Sequence, residues 1–169
     1  TQESKRDRIA LLNQLALATG KLTWLDGDIT ADQLGLDTVS QKQALAAEHV
    51  FHLAALYDLE ASKDLLHQIN TQGTKNVCAL LEAADYQGTL HHVSSIAVAG
   101  DYKGTFTEAM FEADQGFPHP YHETKYASEK TVRHSKLRAC IYRPGSVVGH
   151  SRTGAMDRID GIYHAFNLI

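Results

Sequence analysis

Two kinds of hydrophobic pattern alternate along the chain. Short, continuous apolar runs bounded by turn residues are typical of buried strands, whereas longer stretches with apolar positions three and four residues apart are typical of helices. The short runs predict four strands, at residues 21–25, 49–55, 90–95 and 139–142. The stretches around them predict helices at residues 6–17, 34–47 (after a turn), 61–84 (weakened at Gly73), 121–134 and from about residue 159.

This alternation predicts the α/β class, a Rossmann-like doubly wound parallel sheet with helices on both faces. Ligands of such sheets bind at the carboxyl ends of the strands. Small or polar residues stand at all four predicted strand ends: Asp28, Ala54 with Ala55, Ser95, and Pro144 with Gly145. Residues 97–120 contain several glycines and prolines and predict a long loop, which suits a segment that covers a substrate.

Length, charge and composition narrow the class of protein. At 169 residues the chain is long enough for one domain with a sizeable core. A net charge of −4 gives no sign of a nucleic-acid partner, and no apolar run is long enough to predict a transmembrane segment. Cys78 and Cys140 lie in apolar runs, which predicts buried free thiols in a reducing, cytoplasmic compartment. No metal site is predicted, because the histidine pairs lack further ligands at a suitable spacing.

Three side chains indicate a chemistry. Ser95 ends the third predicted strand, and Tyr121 and Lys125 lie four residues apart on one face of the next helix. An ammonium group favours a nearby phenolate, so we expect Lys125 to lower the pKa of Tyr121 from about 10. Tyr121 would then protonate a carbonyl oxygen to which Ser95 also donates a hydrogen bond. The Tyr-x-x-x-Lys spacing alone is common on surface helices and specifies no enzyme.

Six short motifs resemble, in order and spacing, the extended short-chain dehydrogenase/reductase superfamily. They are Gly27-Asp28-Ile29, His52-Leu53-Ala54-Ala55, Asn70-x-x-Gly73-Thr74, Val93-Ser94-Ser95, Tyr121-x-x-x-Lys125 and Arg143-Pro144-Gly145. Further segments resemble fatty acyl-CoA reductases, most of all the N-terminal reductase domain of two-domain bacterial enzymes of the male-sterility, or thioester-reductase, type. These segments are residues 91–97, His119-Pro120-Tyr121 with Glu129-Lys130, residues 141–145, Val148-Gly149-His150-Ser151 and residues 153–161.

The resemblance implies roles for the matching residues. Ser95, Tyr121 and Lys125 match the catalytic triad, and Asn70 matches a helix asparagine that supports the catalytic site. The matching cofactor-binding positions are Asp28 and Ile29 beside the adenine, Leu53, Ala54 and Ala55 at a strand end, Pro144 and Gly145 near the nicotinamide carboxamide, and Tyr121 and Lys125 themselves. Read without the resemblance, Asp28 is an ordinary turn residue.

The implied activity is NADPH-dependent reduction of a long-chain fatty acyl thioester, carried by CoA or by acyl carrier protein, to the aldehyde and in some members to the alcohol. NADH is not excluded. Two alternatives stay open: another extended short-chain dehydrogenase, such as a sugar-nucleotide epimerase or dehydratase or a hydroxysteroid-type dehydrogenase, and a non-catalytic truncated module. The loop aromatics either line an acyl tunnel or pack the loop onto the domain. Peripheral contact with a membrane is left open, and no oligomeric state is predicted.

One motif of the superfamily has no counterpart. Neither the Gly-x-x-Gly-x-x-Gly turn, whose backbone N–H groups bind the pyrophosphate, nor the strand before it is found in residues 1–169. We therefore expect residues 1–169 to be a partial dinucleotide-binding reductase domain, incomplete at the N-terminus and at the C-terminus. It would be an internal portion of a longer protein that can include a second reductase domain.

Overall fold

A three-stranded parallel sheet forms the centre of the molecule. The computed structural model describes residues 22–58 and 60–155, together with positions 10, 11, 14 and 20. The strands lie in the order β1 (His49–His52), β2 (Thr89–Val93) and β3 (Ala139–Tyr142). All of them are parallel, so the predicted sheet type is confirmed. The predicted helix from residue 159 and nearly all of predicted helix 6–17 lie outside the described residues.

One helix precedes the first strand and the others lie between strands, and side-chain caps fix where several of them begin. In chain order they are α1 (Thr38–Leu45), α2 (Lys63–Leu66), a π-helical segment (His67–Gln72), α3 (Gly73–Ala83) and α4 (Pro120–His134). Asp37 caps α1 by accepting a hydrogen bond from the Ser40 amide at 2.7 Å. At α4, His119 accepts from the Tyr121 amide at 3.0 Å and Pro120 occupies the first turn. This cap sets the position of Tyr121 at the start of α4.

The predicted helix at residues 61–84 forms as α2, the π-helical segment and α3 in continuous succession. The wider π turn accommodates an extra residue per turn, and such turns are frequent at functional sites. Asn70 and Thr71 lie in this segment with their side chains buried towards α4. The irregular turn therefore places a polar group where a regular helix would need an apolar one.

The predicted strand at residues 21–25 is wrong for residues 22–25, the part of it that the structure describes. Residues 22–28 belong to no hydrogen-bonded ladder, and Leu22 and Trp24 are about half exposed. A strand needs a neighbour for its backbone groups, and no described strand lies beside this segment. The predicted strands at 49–55 and 90–95 also end earlier, at His52 and Val93. Their last residues leave the sheet and are free to line a site.

The hydrophobic core lies between the sheet and the helices α3 and α4. Its buried members are Val77, Cys78, Leu81, Leu90 and Val132. The opposite face of the sheet exposes Phe51 and Tyr142 within the described part of the chain. Cys140 is on that face and is exposed, so its predicted burial is wrong, because successive residues of a strand face opposite sides.

The loop between β2 and α4 packs onto α4 through its aromatic side chains. Phe111 stacks on Tyr126 with ring centroids 4.4 Å apart, and Phe117 lies 4.8 Å from the same ring. The Asp101 amide donates to the Gly116 carbonyl at 3.0 Å, and the Gly116 amide donates to the Asp101 carboxylate at 2.7 Å. The packing interpretation of the loop aromatics therefore fits the structure better than the tunnel interpretation. No helix in the described part of the chain is both long and apolar enough to span a membrane.

Substituting Gly73 by alanine should destabilise the fold. A Cβ atom at Gly73 would stand 2.9 Å from Cγ1 of Ile29, which is closer than packed carbon atoms approach. We expect the clash, at about 1–3 kcal/mol, to exceed the helix propensity gained from alanine, at most about 1 kcal/mol. Urea denaturation measures the change in free energy of unfolding. Gly145→Ala is the matched control, because its Cβ would meet Ile96 at an ordinary 3.7 Å; equal stability of the two variants would contradict the prediction.

Candidate active site

The three predicted catalytic residues line one cavity of about 760 Å³ at the carboxyl ends of the strands. Ser95 follows β2, while Tyr121 and Lys125 come from the first two turns of α4. The Ser95 hydroxyl is close enough to the Tyr121 phenol to influence its ionisation. The structure thus brings Ser95 together with Tyr121 and Lys125, which lie 26 and 30 positions later in the sequence.

The Tyr121 phenol is held in its protonated form. Its pKa is raised mainly because burial disfavours the phenolate, and the phenol of Tyr57, whose ring meets that of Tyr121 edge-on at 4.9 Å, raises it further. The nearby Ser95 hydroxyl lowers the pKa and so opposes these effects, but only partly. The predicted lowering by Lys125 is not what the structure shows. At neutral pH Tyr121 therefore carries a proton that it can donate.

Lys125 is buried although it carries an ammonium group. Only 3% of the residue is exposed, and Nζ donates a 2.8 Å hydrogen bond to the Val93 carbonyl at the end of β2. Burial lowers its pKa to about 8, and the negative charge of Glu129 partly counteracts this. The ammonium group is consequently charged below about pH 8 and neutral above it.

Asn70 supports the site from the π-helical segment. Its side-chain oxygen accepts from the Leu56 amide at 2.7 Å, and its Nδ2 donates to the Leu56 carbonyl at 3.0 Å and to Thr124 Oγ1 at 3.2 Å. These bonds tie the loop after β1 to α4 next to Lys125. The buried position excludes a solvent-facing role, whereas a direct catalytic role for Asn70 stays a prediction.

The predicted cofactor-binding residues divide between two adjoining depressions. Leu53, Ala55, Pro144 and Gly145 line the cavity with the catalytic residues. Asp28, Ile29, Leu53 and Ala54 line a mainly apolar groove of about 360 Å³. Leu53 is common to both.

The linings of the groove and the cavity, which share Leu53, are compatible with the two ends of an elongated dinucleotide. The groove carries a negative charge, because the Asp28 carboxylate accepts from the amide and hydroxyl of Thr30 at 2.8 and 2.7 Å and these bonds lower its pKa. The cavity carries the hydroxyls of Ser95 and Tyr121 and the Lys125 ammonium. No metal-binding cluster of histidine, cysteine or carboxylate residues occurs in the described ranges.

An NAD-binding family model with the description "Male sterility protein" matches residues 2–169. The chain belongs to this family. The resemblance to the extended short-chain dehydrogenase/reductases of male-sterility type is confirmed, and so is the predicted class of cofactor, a nicotinamide adenine dinucleotide.

Two curated proteins and one solved structure are similar to this chain in sequence or fold. The non-canonical nonribosomal peptide synthetase FrzA of Cladobotryum sp is 32% identical over 83% of this chain, and the aldehyde reductase lnbA of Aspergillus flavus is 33% identical over 84%. The terminal R domain of the myxalamid PKS-NRPS pathway is 29% identical over 78% of this chain, with a TM-score of 0.69. The chain spans about 15% of the length of the two curated relatives and 35% of that R domain structure.

The structure contains a buried polar network near Lys125 that the sequence analysis did not predict. His52 Nε2 lies 2.9 Å from Thr74 Oγ1, which lies 2.8 Å from Ser128 Oγ, and Ser128 Oγ lies 3.3 Å from His92 Nε2. Burial lowers the pKa of His52 to about 4 and that of His92 to about 3, so both imidazoles are neutral at pH 7. Histidine and threonine within otherwise apolar elements were the only features of the sequence that could have indicated this network.

A second unpredicted feature is the fully buried carboxylate of Glu129. Arg143 donates a hydrogen bond to this carboxylate at 2.6 Å. Glutamate at this depth requires paired charges. In the sequence analysis Glu129 was named only as part of a family motif, and its burial was not predicted.

The two buried imidazoles should make the fold sensitive to mild acid. They are neutral when folded but bind protons near pH 6.5 when unfolded, so the unfolded state binds more protons and stability falls as the pH drops below 6.5. The loss should be about 1.4 kcal/mol per histidine and pH unit until the folded pKa values are reached. Urea denaturation between pH 7.5 and 5 measures it. His92→Gln should flatten the dependence relative to the exposed control His134→Gln; identical slopes in both would contradict the prediction.

Proposed function

We propose that this protein is an NADPH-dependent reductase that converts an acyl thioester into an aldehyde. The observation that carries the proposal is that Ser95, Tyr121 and the buried Lys125 line one cavity, at the strand ends of an NAD-binding family member. Ser95 and Tyr121 offer two hydroxyl donors to a single carbonyl oxygen. The negative charge that develops on the carbonyl oxygen during reduction would then be stabilised by these two hydroxyl groups.

The chain's own residues manage the proton. When bound, a nicotinamide dinucleotide would be the source of the hydride that the thioester carbon accepts. Tyr121 donates its proton to the carbonyl oxygen, and Ser95 donates a hydrogen bond to the same oxygen. The Lys125 charge stabilises the phenolate that remains. The resulting hemithioacetal returns a proton to the thiolate that leaves, so that one thioester, one hydride and one proton give one aldehyde and one thiol.

Residues of the cavity and of the groove would hold the dinucleotide. Leu53, Ala55, Pro144 and Gly145 would enclose the nicotinamide end, together with Tyr121 and Lys125. Asp28, Ile29 and Ala54 would lie along the adenosine end. The choice of NADPH over NADH rests on family resemblance.

We propose that the acyl group arrives on a phosphopantetheine arm, which CoA and carrier proteins share. Two findings support this: the solved R domain belongs to a PKS-NRPS pathway, and FrzA is a nonribosomal peptide synthetase. They favour a carrier-bound substrate over free acyl-CoA. Leu53, Ile96 and Val147 line the cavity and are 64%, 58% and 81% exposed, which suits contact with an apolar acyl chain. Reduction of long-chain fatty acyl-CoA stays a prediction.

NADPH oxidation by the full-length protein tests the proposal. The substrates are a long-chain acyl-CoA, the same acyl group on a carrier protein, a UDP-sugar and a sterol. We expect oxidation with a thioester, accompanied by release of free thiol in equal amount. Turnover of the UDP-sugar or the sterol alone would replace the proposal with another extended short-chain dehydrogenase. No turnover together with no NADPH binding would favour a non-catalytic module.

Tyr121→Phe should nearly abolish turnover and leave NADPH binding largely intact, because it removes the donated proton while keeping the ring. The comparison is between kcat and the dissociation constant for NADPH measured by fluorescence. Tyr126→Phe is the matched control, since its ring stacks on Phe111 on the loop side of α4. Equal loss of binding and turnover in Tyr121→Phe would show that Tyr121 is structural.

A further inference from the structure

Glu129 joins more parts of the candidate site than any residue of the proposed catalytic group. It is completely buried on α4, one turn after Lys125 and two turns after Tyr121. Residues spaced by four share one face of a helix, so these three side chains form a single stripe. Glu129 has no place in the proton chemistry proposed above.

Four hydrogen bonds end on the Glu129 carboxylate. Oε2 accepts from Ser94 Oγ at 2.6 Å and from Arg143 Nε at 3.1 Å. Oε1 accepts from the terminal nitrogen of Arg143 at 2.6 Å and from Arg133 Nε at 2.7 Å. These partners keep the pKa of Glu129 below its usual value in spite of burial, which by itself raises it. The group is therefore an anion whose hydrogen bonds are satisfied.

Two of these partners sit next to site residues. Ser94 precedes Ser95, the proposed donor to the carbonyl oxygen, and Arg143 precedes Pro144 and Gly145, which line the same cavity. The two strand ends are also bonded to each other, since the Ile96 amide donates to the Pro144 carbonyl at 3.1 Å. Glu129 thus fixes both cavity-lining segments to the helix that carries Tyr121.

Arg143 extends the connection to the loop before α4. Its terminal nitrogens donate to the carbonyls of Met110 at 2.9 Å and Thr107 at 3.3 Å. Its guanidinium group lies 5.4 Å from the ring centroid of Phe106. A carboxylate is required to hold the guanidinium in this place, because a buried arginine without a partner is strongly unfavourable.

We propose that Glu129 is a positioning residue that sets Ser95, the Pro144-Gly145 segment and the loop at residues 106–111 relative to Tyr121 and Lys125. This role rests on the proposed function, because it orders the groups that would act on the thioester. Glu129 touches neither cofactor nor substrate. It acts through Ser94 and Arg143.

Glu129 also acts on Lys125 electrostatically. The pH at which Lys125 loses its proton is therefore a measurement that a purely structural residue would not change. The charged or titratable groups that interact with Lys125 are Glu129 on α4, His52 on β1 and His92 on β2, and Tyr121 on α4 lines the same cavity. The two histidines are neutral at pH 7, so Glu129 is the anion that favours the ammonium form. Removal of its charge should make Lys125 lose its proton at lower pH.

Glu129→Gln in the full-length protein tests the proposal, with kcat and KM measured against pH. We expect kcat to fall by on the order of 10- to 100-fold with little change in KM, because the reacting groups are misplaced. The decrease of kcat at alkaline pH, where Lys125 loses its proton, should move to lower pH. Glu129→Asp should restore the alkaline decrease toward its normal position, because it keeps the charge. A kcat within twofold of wild type, or an unmoved alkaline decrease, would overturn the proposal.

Glu112→Gln is the matched control. Glu112 pairs with Lys130 at 2.7 Å and connects the same loop to the same helix, but its side chain is 63% exposed and it contacts neither Ser94 nor Arg143. Exposed pairs contribute little, so its kinetics should equal those of wild type. A loss equal to that of Glu129→Gln would mean that any loop contact has this effect, and would overturn the assignment.

Hydrogen exchange separates this role from the thioester chemistry. Amides of residues 106–111 and 94–96 should exchange faster in Glu129→Gln than in Glu112→Gln, whatever the substrate is. Suppose that none of the tested thioesters supports NADPH oxidation by the wild type, but these amides still exchange faster in Glu129→Gln. The proposed function then fails and the positioning role stands. If Glu129→Gln does not fold, Ser94→Ala removes a single hydrogen bond and should reproduce faster exchange at 94–96; unchanged exchange there would overturn the proposal.

Discussion

The burial of the Lys125 ammonium group is the constraint on which the candidate site depends. A buried charge is tolerated only when it is hydrogen-bonded and opposed by another charge. The Val93 carbonyl, left free where β2 ends, provides the hydrogen bond, and Glu129 on the same face of α4 provides the charge. His52 and His92, which also interact with Lys125, are neutral at pH 7 and add no positive charge beside it. The result is a lysine whose pKa of about 8 lies close to neutrality.

The same burial determines how Tyr121 behaves. Tyr121 lines the cavity together with Ser95, and its pKa is raised rather than lowered. A protonated phenol is suited to reduction, in which an acid must donate to the carbonyl oxygen. The reverse reaction, oxidation of an alcohol, would need the phenolate. The electrostatics of the described residues therefore agree with the reductive direction of the proposed activity.

Polar interactions, more than apolar burial, connect the elements around the cavity. The apolar core is a compact cluster between β2, α3 and α4. Towards the strand ends it gives way to Thr74, Ser128 and Asn70, and then to the Glu129 ion pairs. Such networks add little net stability compared with apolar packing, but they allow only one arrangement of their members. Rigid placement of Ser95 and Tyr121 is what a reaction at a single carbonyl needs.

The sequence by itself determined the parallel α/β fold, the helix that carries Tyr121 and Lys125, and the identity of the three residues that meet in the cavity. These follow from local rules: apolar runs predict strands, a spacing of four predicts one helix face, and strand ends predict the site. The tertiary structure alone decided the protonation of Tyr121, the exposure of Cys140 and the failure of residues 22–25 to form a strand. It also decided the role of Glu129, whose partners Ser94 and Arg143 lie 35 and 14 residues away. Burial and strand pairing depend on neighbours distant in the chain, and no local pattern encodes them.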